Sequence, residues 1–412
     1  MGFRYLVGFL MLLLASCASR ARIVGPAAVT TAAPEQIEAP PADNSDLFWR
    51  TIKGQKRTPA EVAEALRPIM SELGVTGLSI AVTYSAFILS DGAHTYTIHL
   101  GERDLETHEP VDIDTVFRVG RLGQSILAYL VLKLHDKGLF DADQPLWEAL
   151  PKPLSEYPAY ADLANSARWK RLTARLILMH RSGLVNLRSD RPDRKLAFAR
   201  SPGGRFGYSE EGIRLLRFVL EEKFGQNIDE IAKPIVYDKL AMRRTGFIRR
   251  AGFEGHIATA GPAAATSSLQ DPGPLNSIYI SARDYNRYLW GVIMCGGAFS
   301  NPYIGRPLHD PQVPITSKTI LGRPSSSLFS NAPLGFAWAF GLGRYYTGSC
   351  FPQFMGLHER DAECYATTVP DFSGRVTVIT ILAVGSLKGS IIGRALDEVI
   401  GPIEPPLAWL GF

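Results

Sequence analysis

The sequence has few cysteines, no late apolar run and little excess charge. It contains four cysteines in 412 residues, too few for a small scaffold held by disulfides. After Leu14 no stretch is apolar enough to cross a bilayer. Lysine and arginine total 44 against 40 acidic residues, a formal net charge of +4, and the one tight basic cluster, 243–250, reads as a solvated loop. We therefore predict no nucleic-acid partner.

The bulk composition indicates a folded protein. Hydrophobic residues make up 46% of the chain and charged residues 20%, which is typical of globular domains. The length suits one large domain or two of ordinary size. We expect a substantial hydrophobic core.

The first seventeen positions, "MGFRYLVGFLMLLLASC", have the pattern of an export signal. Arg4 precedes an apolar run through Leu14, and small residues lead to Cys17. The ending "LASC" resembles the lipobox of bacterial lipoproteins, which implies a signal peptide at 1–16 and a diacylated Cys17. The alternative is an ordinary secretory signal in which Cys17 is incidental. The lipoprotein resemblance implies a periplasmic, membrane-anchored protein, held at the outer membrane in a diderm host.

Residues 17–57 are rich in alanine and proline and lack a sustained apolar period. Such a composition predicts a flexible tether. Export would expose the three later cysteines to an oxidising compartment. Cys350 and Cys364 flank one loop and are a possible disulfide, with Cys295 left over; three buried thiols are the alternative.

Periodicity predicts an α/β (α+β) fold with sheet segments at both ends of the domain. Thr58 and Glu61 form a capping-box pattern ahead of a helix that ends near Leu73. Two strands follow in "VTGLSIAVTYS" and "AHTYTIHLGERD", then a helix, Leu122 to Leu134, that is apolar almost all round and so is expected to be buried. A helical region comes next, and strand patterns return in "LGFAWAFGLGRYY", "ECYATTVPD" and "GRVTVITILAVGS" before a last helix, "SIIGRALDEVIG". This order predicts an all-α lobe at about 138–260 beside one α/β layer, with a cleft between them.

Four segments in this order resemble the serine β-lactamase and penicillin-binding-protein superfamily, in its class C and D-alanyl-D-alanine-carboxypeptidase-like branch. They are "TVFRVG" before the buried helix, "LILMHRSGL", "PGGRFGYSEEGIRLL" and "SIYISARDYNRYLWGVI". The resemblance implies a β-lactamase/transpeptidase-like domain over 58–402, an antiparallel sheet flanked by helices plus the all-α lobe, with a tail at 403–412.

The family's chemistry needs Ser-x-x-Lys, Tyr-x-Asn and a Lys- or His-led triplet ending in glycine. The resemblance puts Arg121 at the serine position and Gln124 at the lysine position. Neither replaces the original, because a guanidinium is not a nucleophile and a carboxamide does not titrate near neutrality. No serine in the chain is followed three residues later by lysine. The first motif has not shifted elsewhere.

The other two motifs are also altered. Tyr208 is retained, but Glu210 stands where the family has asparagine, and the nearest third-motif candidate begins at His358 and lacks the glycine. We expect a salt bridge between Arg121 and Glu210, which occupy converging positions in this fold. One interpretation is that Arg121, with Tyr208 and Glu210, binds an anionic ligand; the other is that the pair only plugs the cleft.

Three functions follow as hypotheses. The chain is a catalytically inactive family member that binds a cell-envelope ligand or protein partner; a hydrolase with a rebuilt site, for which His358, Glu359 and Cys364 are one set; or a structural lipoprotein with a closed cleft. Tyr208 reads as a packed cleft residue and His180 as a brace for the lobe. His108 and His135 are isolated, and no cluster of histidines and carboxylates has metal-ligand spacing, so we predict neither a metal nor a cofactor.

Overall fold

The computed structural model describes residues 48–85, 94–249, 252–259, 278–294, 299–300, 303–304, strands between 313 and 370, and 376–401. All of them lie in one compact unit, Ser45–Phe412. The predicted signal peptide, Cys17 and the tail at 403–412 lie outside the described residues.

Seven helices and sixteen strands lie in the described part of the chain and are numbered in chain order, and short 3₁₀ and π turns are named by residue. The helices are α1 (Pro59–Leu73), α2 (Gly123–Asp136), α3 (Ala174–Leu178), α4 (Glu210–Phe224), α5 (Ile228–Ala232), α6 (Ala282–Tyr288) and α7 (Ile392–Ile400). The strands are β1 (Trp49–Arg50), β2 (Lys56–Arg57), β3 (Val75–Ser85), β4 (His94–Asp104), β5 (Glu109–Pro110), β6 (Phe117–Arg118), β7 (Thr245–Gly246), β8 (Tyr279–Ile280), β9 (Val313–Pro314), β10 (Thr319–Ile320), β11 (Arg323–Pro324), β12 (Phe336–Ala339), β13 (Leu342–Tyr345), β14 (Gln353–His358), β15 (Ala362–Pro370) and β16 (Val376–Gly385).

A nine-stranded antiparallel sheet, in the order β5-β4-β3-β16-β15-β14-β13-β12-β9, organises the domain. The N-terminal hairpin β3–β4 pairs with the late strand β16, so the two ends of the chain close one layer. This confirms the predicted α/β arrangement. The helix predicted from Thr58 is α1, whose capping box joins Thr58 and Glu61.

The sheet separates two hydrophobic cores because alternate residues of each strand face opposite sides. On one face, Ile80 and Val82 pack with α1 and α7. On the other, Ala81 and Val378 join the core that includes α2 and the helical lobe. The helical lobe contains α3, α4, α5 and several 3₁₀ turns together with the short strand β7, and its bounds at about 138–260 stay a prediction.

The folded domain begins earlier than the predicted tether boundary at residue 57. Strands β1 and β2 pair with each other, and Trp49 is fully buried. The Trp49 indole donates to the Val399 carbonyl at 2.7 Å, which joins this segment to α7. A single buried tryptophan in a polar stretch has no periodic signal. Residues 48–57 therefore belong to the folded domain, and the rest of the predicted tether lies outside the described residues.

A buried asparagine fastens helix α6 to the centre of the sheet. The Asn286 amide nitrogen donates to the carbonyl oxygens of Ala81 on β3 and Val378 on β16, both at 2.9 Å. Its amide oxygen accepts from the Thr83 hydroxyl. All three hydrogen bonds therefore hold the junction between α6 and two central strands.

We expect Asn286→Asp to lower the free energy of unfolding by about 3 kcal/mol, because a buried carboxylate would face two carbonyl acceptors that lose their donor. Urea unfolding would measure the change. Asn165→Asp, the same substitution at an exposed position, is the control and is expected to change stability by less than about 0.5 kcal/mol. Equal stability of the Asn286→Asp variant and the parent would contradict this role.

His99 on β4 makes stability depend on pH. Its Nδ1 lies 3.1 Å from the Ser79 hydroxyl, and burial lowers the pKa of the imidazole from 6.5 to about 4. Between these pH values the unfolded chain binds more protons at this site than the folded chain. The contribution of His99 to the free energy of unfolding is therefore fully present above pH 6.5, and it is lost as the pH falls toward 4.

We expect His99→Gln to flatten the stability profile between pH 6.5 and pH 4, the interval set by the two pKa values. Urea midpoints at several pH values would measure it. The exposed His94, changed to glutamine, is the control and should leave the slope as in the parent. A parental slope in the His99→Gln variant would contradict the assignment.

Candidate functional site

The family's first motif falls where a 3₁₀ turn, Gly120–Leu122, enters α2. Arg121 lies in this turn, and its side chain is outside the described part of the structure. Strand β14 runs beside the turn and ends at His358, whose side chain is likewise not described. The backbone therefore brings the first motif and the third-motif candidate together, whereas the predicted Arg121–Glu210 salt bridge stays a prediction.

Helix α2 is buried almost throughout. Its residues from Gly123 to Leu132 are all buried, as the apolar sequence predicts. Gln124 is 3% exposed and Ser125 is fully buried. A polar side chain in such a helix requires hydrogen-bond partners, because an unsatisfied buried polar group is costly.

Gln124 is hydrogen-bonded to Tyr208, the retained tyrosine of the second motif. The Gln124 amide nitrogen donates to the Tyr208 hydroxyl at 2.6 Å, and Tyr208 is 8% exposed. The structure thus brings together two of the predicted site residues. A neutral amide occupies the position where the family has a cation, and it supplies neither positive charge nor a proton acceptor that titrates near neutrality.

The Gln124 carbonyl oxygen is buried and has no hydrogen-bond partner among the described residues. The Gln124 side chain therefore has a partner for its amide nitrogen, the Tyr208 hydroxyl, and none among the described residues for its carbonyl oxygen. A donor on a ligand could complete it.

Glu210 is buried as the first residue of α4, 5% exposed. Ser209 caps this helix, and the Glu210 amide donates to the Asn186 side-chain oxygen at 3.2 Å. A negative charge at a helix N-terminus is favoured by the helix dipole. The helix dipole therefore stabilises the Glu210 carboxylate, in addition to the ion pair with Arg121 that the sequence predicts.

His180 braces the segment that carries Tyr208. Its Nδ1 accepts the backbone N–H of Ser209 at 3.2 Å, and its ring centroid lies 4.3 Å from that of Tyr208. Since Nδ1 is the acceptor, the neutral imidazole carries its proton on Nε2. His180 itself has a left-handed backbone, φ 51°, which turns the chain sharply before the lobe continues.

Nearby serines are occupied by structural hydrogen bonds. The Ser125 hydroxyl donates to the Leu122 carbonyl at 2.9 Å and lies 3.0 Å from the Tyr285 hydroxyl. The Ser209 hydroxyl donates to the Val185 carbonyl at 2.7 Å and accepts the Gly212 amide at 3.0 Å. Neither hydroxyl is placed to act as a nucleophile beside Tyr208.

The backbone register of β14 and β15 disfavours the hypothetical set of His358, Glu359 and Cys364, of which Glu359 and the His358 side chain lie outside the described residues. Cys364 pairs with Leu357 across β14 and β15, while position 358 pairs with Glu363. Neighbouring register positions lie on opposite faces of a sheet, so positions 358 and 364 cannot converge. Cys364 is buried, and its sulfur lies 3.6 Å from the Val119 carbonyl oxygen. The Cys350–Cys364 disulfide stays a prediction because Cys350 and Cys295 lie outside the described residues.

Two networks near the site were missed from the sequence. The Glu211 carboxylate, fully buried, accepts the Arg188 guanidinium at 2.9 Å and the Arg188 amide at 3.0 Å. The Tyr288 hydroxyl donates to the Ser125 carbonyl at 2.7 Å, and burial raises the pKa of Tyr285. The tyrosine pair at i and i+3 on α6 was the available signal for the second network.

The sequence suggested that His135 is isolated, but in the structure two carboxylates lie close to it. It forms a group with Asp141 and Asp143 whose ligand atoms all lie within 4.8 Å of one another. Arg175 donates to the Asp143 carboxylate at 2.8 Å, and this hydrogen bond lowers the carboxyl pKa. The Arg175 guanidinium supplies positive charge beside these carboxylates, and the absence of a metal stays a prediction.

We expect Gln124 and Tyr208 to be energetically coupled. Tyr208→Phe and Gln124→Met should each cost about 1–3 kcal/mol, because each leaves a buried partner unsatisfied, while the double variant should cost less than the sum by about 1 kcal/mol. Urea unfolding of the four proteins would give the coupling. Tyr303→Phe, at a position 68% exposed, should combine additively with Gln124→Met; additivity of the Tyr208 pair would contradict the bond.

Within the described residues, no helix is long and apolar enough to cross a membrane. The solved structures that the chain resembles share its fold. A class C β-lactamase from Rhodobacter sphaeroides aligns with a TM-score of 0.59 and 14% identity, covering 82% of this chain and 98% of that one. A β-lactamase/D-alanine carboxypeptidase from Pseudomonas syringae aligns with a TM-score of 0.60 and 15% identity, covering 84% and 99%.

A sequence relative extends the comparison beyond bacteria. The human serine β-lactamase-like protein LACTB, mitochondrial, is 27% identical over 156 residues, which are 38% of this chain and 24% of that protein. The chain therefore matches only about a quarter of the length of this curated relative. The family model described as Beta-lactamase matches residues 62–352. This match covers more than half of the chain, and the solved structures have the same fold. The chain therefore belongs to the β-lactamase family.

Proposed function

We propose that this protein is a catalytically inactive member of the β-lactamase family, tethered to a membrane, that binds an anionic cell-envelope ligand or a protein partner at its former serine site. The observation that carries the proposal is the hydrogen bond from Gln124 to Tyr208 at 2.6 Å. It joins the lysine position of the first motif to the tyrosine of the second through a neutral amide.

Acyl-enzyme chemistry requires a nucleophile and a group that takes its proton. Arg121 is not a nucleophile, and the described serines near Tyr208 are engaged in backbone hydrogen bonds. Loss of the nucleophile in a serine hydrolase costs on the order of a millionfold in kcat. Nothing among the described side chains offsets such a loss, which is why we place the hydrolase hypothesis second.

The site retains groups suited to recognition. Arg121 offers a guanidinium, the donor type that matches a carboxylate in a bidentate manner, and the Gln124 carbonyl oxygen is a buried acceptor with no described partner. A peptide or sugar carboxylate that also carries an N–H or O–H would use both. The D-alanine carboxypeptidase among the solved neighbours makes a peptide ending in D-alanine a suitable first probe.

The alternative is a closed site in a structural or assembly lipoprotein. The burial of Gln124, Tyr208 and Glu210, at 3%, 8% and 5% exposure, favours it, because a ligand must reach groups that are already covered. Ligand binding distinguishes the two functions, since a closed site gives no stabilisation by any carboxylate.

We expect N-acetyl-D-alanyl-D-alanine to raise the Tm of the protein, because a ligand that binds only the folded state stabilises it, by about 2.7 kcal/mol when its concentration is a hundred times Kd. Differential scanning fluorimetry would measure the shift. The same dipeptide with its carboxylate amidated is the ligand control and should have no effect.

Arg121→Gln should abolish the shift, whereas Arg67→Gln, at an exposed position on α1, should preserve it. An equal shift in the Arg121→Gln variant would contradict carboxylate binding by Arg121. No shift with this dipeptide or with a muramyl carboxylate would favour the closed site.

A further inference from the structure

A group of arginines surrounds the chain just before Tyr208, from 198 to 207. These five residues are called the arginine surface: Arg168, Arg171, Arg181, Arg200 and Arg205. Arg168, Arg171 and Arg205 are exposed, and the other two are half-buried. The family's chemistry makes no use of them.

Three of the five side chains reach backbone carbonyls of one loop. Arg181 donates through Nε to the Gly204 carbonyl at 2.6 Å, and it also contacts the Gly203 carbonyl. Arg171 and Arg168 approach the carbonyls of Pro202 and Phe198 at 3.4 and 3.5 Å. Carbonyl oxygens fix the positions of these guanidinium groups but carry no formal charge, so the positive charges remain.

Arg200 lies deeper in the same surface. Its guanidinium packs so close to Gly207 that a side chain at 207 would overlap it. Its Nε is buried without a hydrogen-bond partner among the described residues. Burial and the neighbouring charge of Arg205 lower the pKa of Arg200. An anion at this position would provide the missing partner and relieve the repulsion.

The arginine surface carries charge that the described part of the protein does not neutralise. Within the described residues, none of its five members lies within 4.0 Å of a carboxylate. Neighbouring arginines differ: Arg188 pairs with Glu211 and Arg191 with Asp193. Acidic residues therefore lie in the same region of the lobe, but they pair with arginines outside the arginine surface.

An exposed tryptophan borders the arginine surface. Lys170, between Arg168 and Arg171 on one 3₁₀ turn, places its ammonium 5.4 Å from the centre of the Trp147 ring. Trp147 is 42% exposed. Tryptophan combines an apolar body with a polar edge and is enriched at the boundary between membrane and water.

A tether of the predicted length would keep the domain near a bilayer. A flexible chain of about thirty residues, such as 18–47, has a root-mean-square span of about 30 Å. Each lysine or arginine near an anionic membrane surface contributes about a factor of five in binding, the equivalent of about 1 kcal/mol.

We propose that the arginine surface binds the anionic phospholipid headgroups of a bilayer and docks the domain on it, with Trp147 in the interface. This extends the proposed function and rests on its tethering part, not on ligand binding at Tyr208. Because Gly207 and Tyr208 follow the loop directly, docking would hold the candidate site close to the membrane surface.

The test is sedimentation of the folded unit Ser45–Phe412, which contains both hydrophobic cores, with vesicles. Its cooperative thermal unfolding is verified first. We expect binding to vesicles of phosphatidylcholine with phosphatidylglycerol, weakening as salt rises, and none to phosphatidylcholine alone. The triple variant Arg168→Gln, Arg171→Gln, Arg205→Gln should bind roughly 100-fold more weakly.

The control removes the same charge from three exposed cations elsewhere. The triple variant Lys53→Gln, Arg67→Gln, Arg394→Gln lies on the N-terminal segment, α1 and α7 and should bind as the parent does. Equal losses in both triple variants, or equal binding to both vesicle types, would overturn the proposal. Tight binding to soluble polyphosphate without vesicle binding would overturn it as well, and would assign the surface to a soluble polyanion.

Discussion

The burial of helix α2 between the sheet and the helical lobe is the constraint on which the rest of the domain depends. This helix belongs to the same core as the lobe, and its N-terminal turn lies beside β14. In catalytic relatives the same position carries the nucleophile, so one helix serves both packing and chemistry. The proposed loss of catalysis would remove only the chemical requirement. The packing demand remains, which explains why the apolar frame of "LGQSILAYLVLKL" persists around altered motif positions.

The residues that replace the family's motif residues are each stabilised in the protein interior by a different interaction. Gln124 uses its amide to hold the Tyr208 hydroxyl, so the second motif keeps its place without a buried ammonium. Glu210 gains from its position at the start of α4. Under the proposed function, these changes replace a site for proton transfer by one for hydrogen bonding and charge recognition. Such a site is suited to recognition, and the arginine surface beside it adds a second region of positive charge.

The sequence predicted the fold well where periodicity is strong. The strands β3, β4 and β16, the helices α1 and α7, and the buried character of α2 all follow from patterns of two or 3.6 residues. The early start of the domain was missed because Trp49 is buried by contact with α7, which is distant in sequence. For the site, motif positions identified Gln124, Tyr208 and Glu210, but no local pattern encodes that Gln124 donates to Tyr208. His135 with its two aspartates and the arginine surface depend in the same way on residues that only the folded chain brings together.

We propose that the former serine site no longer forms an acyl-enzyme. The most direct test of this proposal is incubation of the folded protein with a fluorescent penicillin and, separately, a fluorophosphonate, followed by intact-mass and peptide mass spectrometry. A class C β-lactamase serves as the positive control, and heat-denatured protein identifies nonspecific labelling. We expect no stoichiometric adduct with either reagent. A single adduct at one residue of the folded protein would contradict it and would identify the nucleophile of a rebuilt catalytic site.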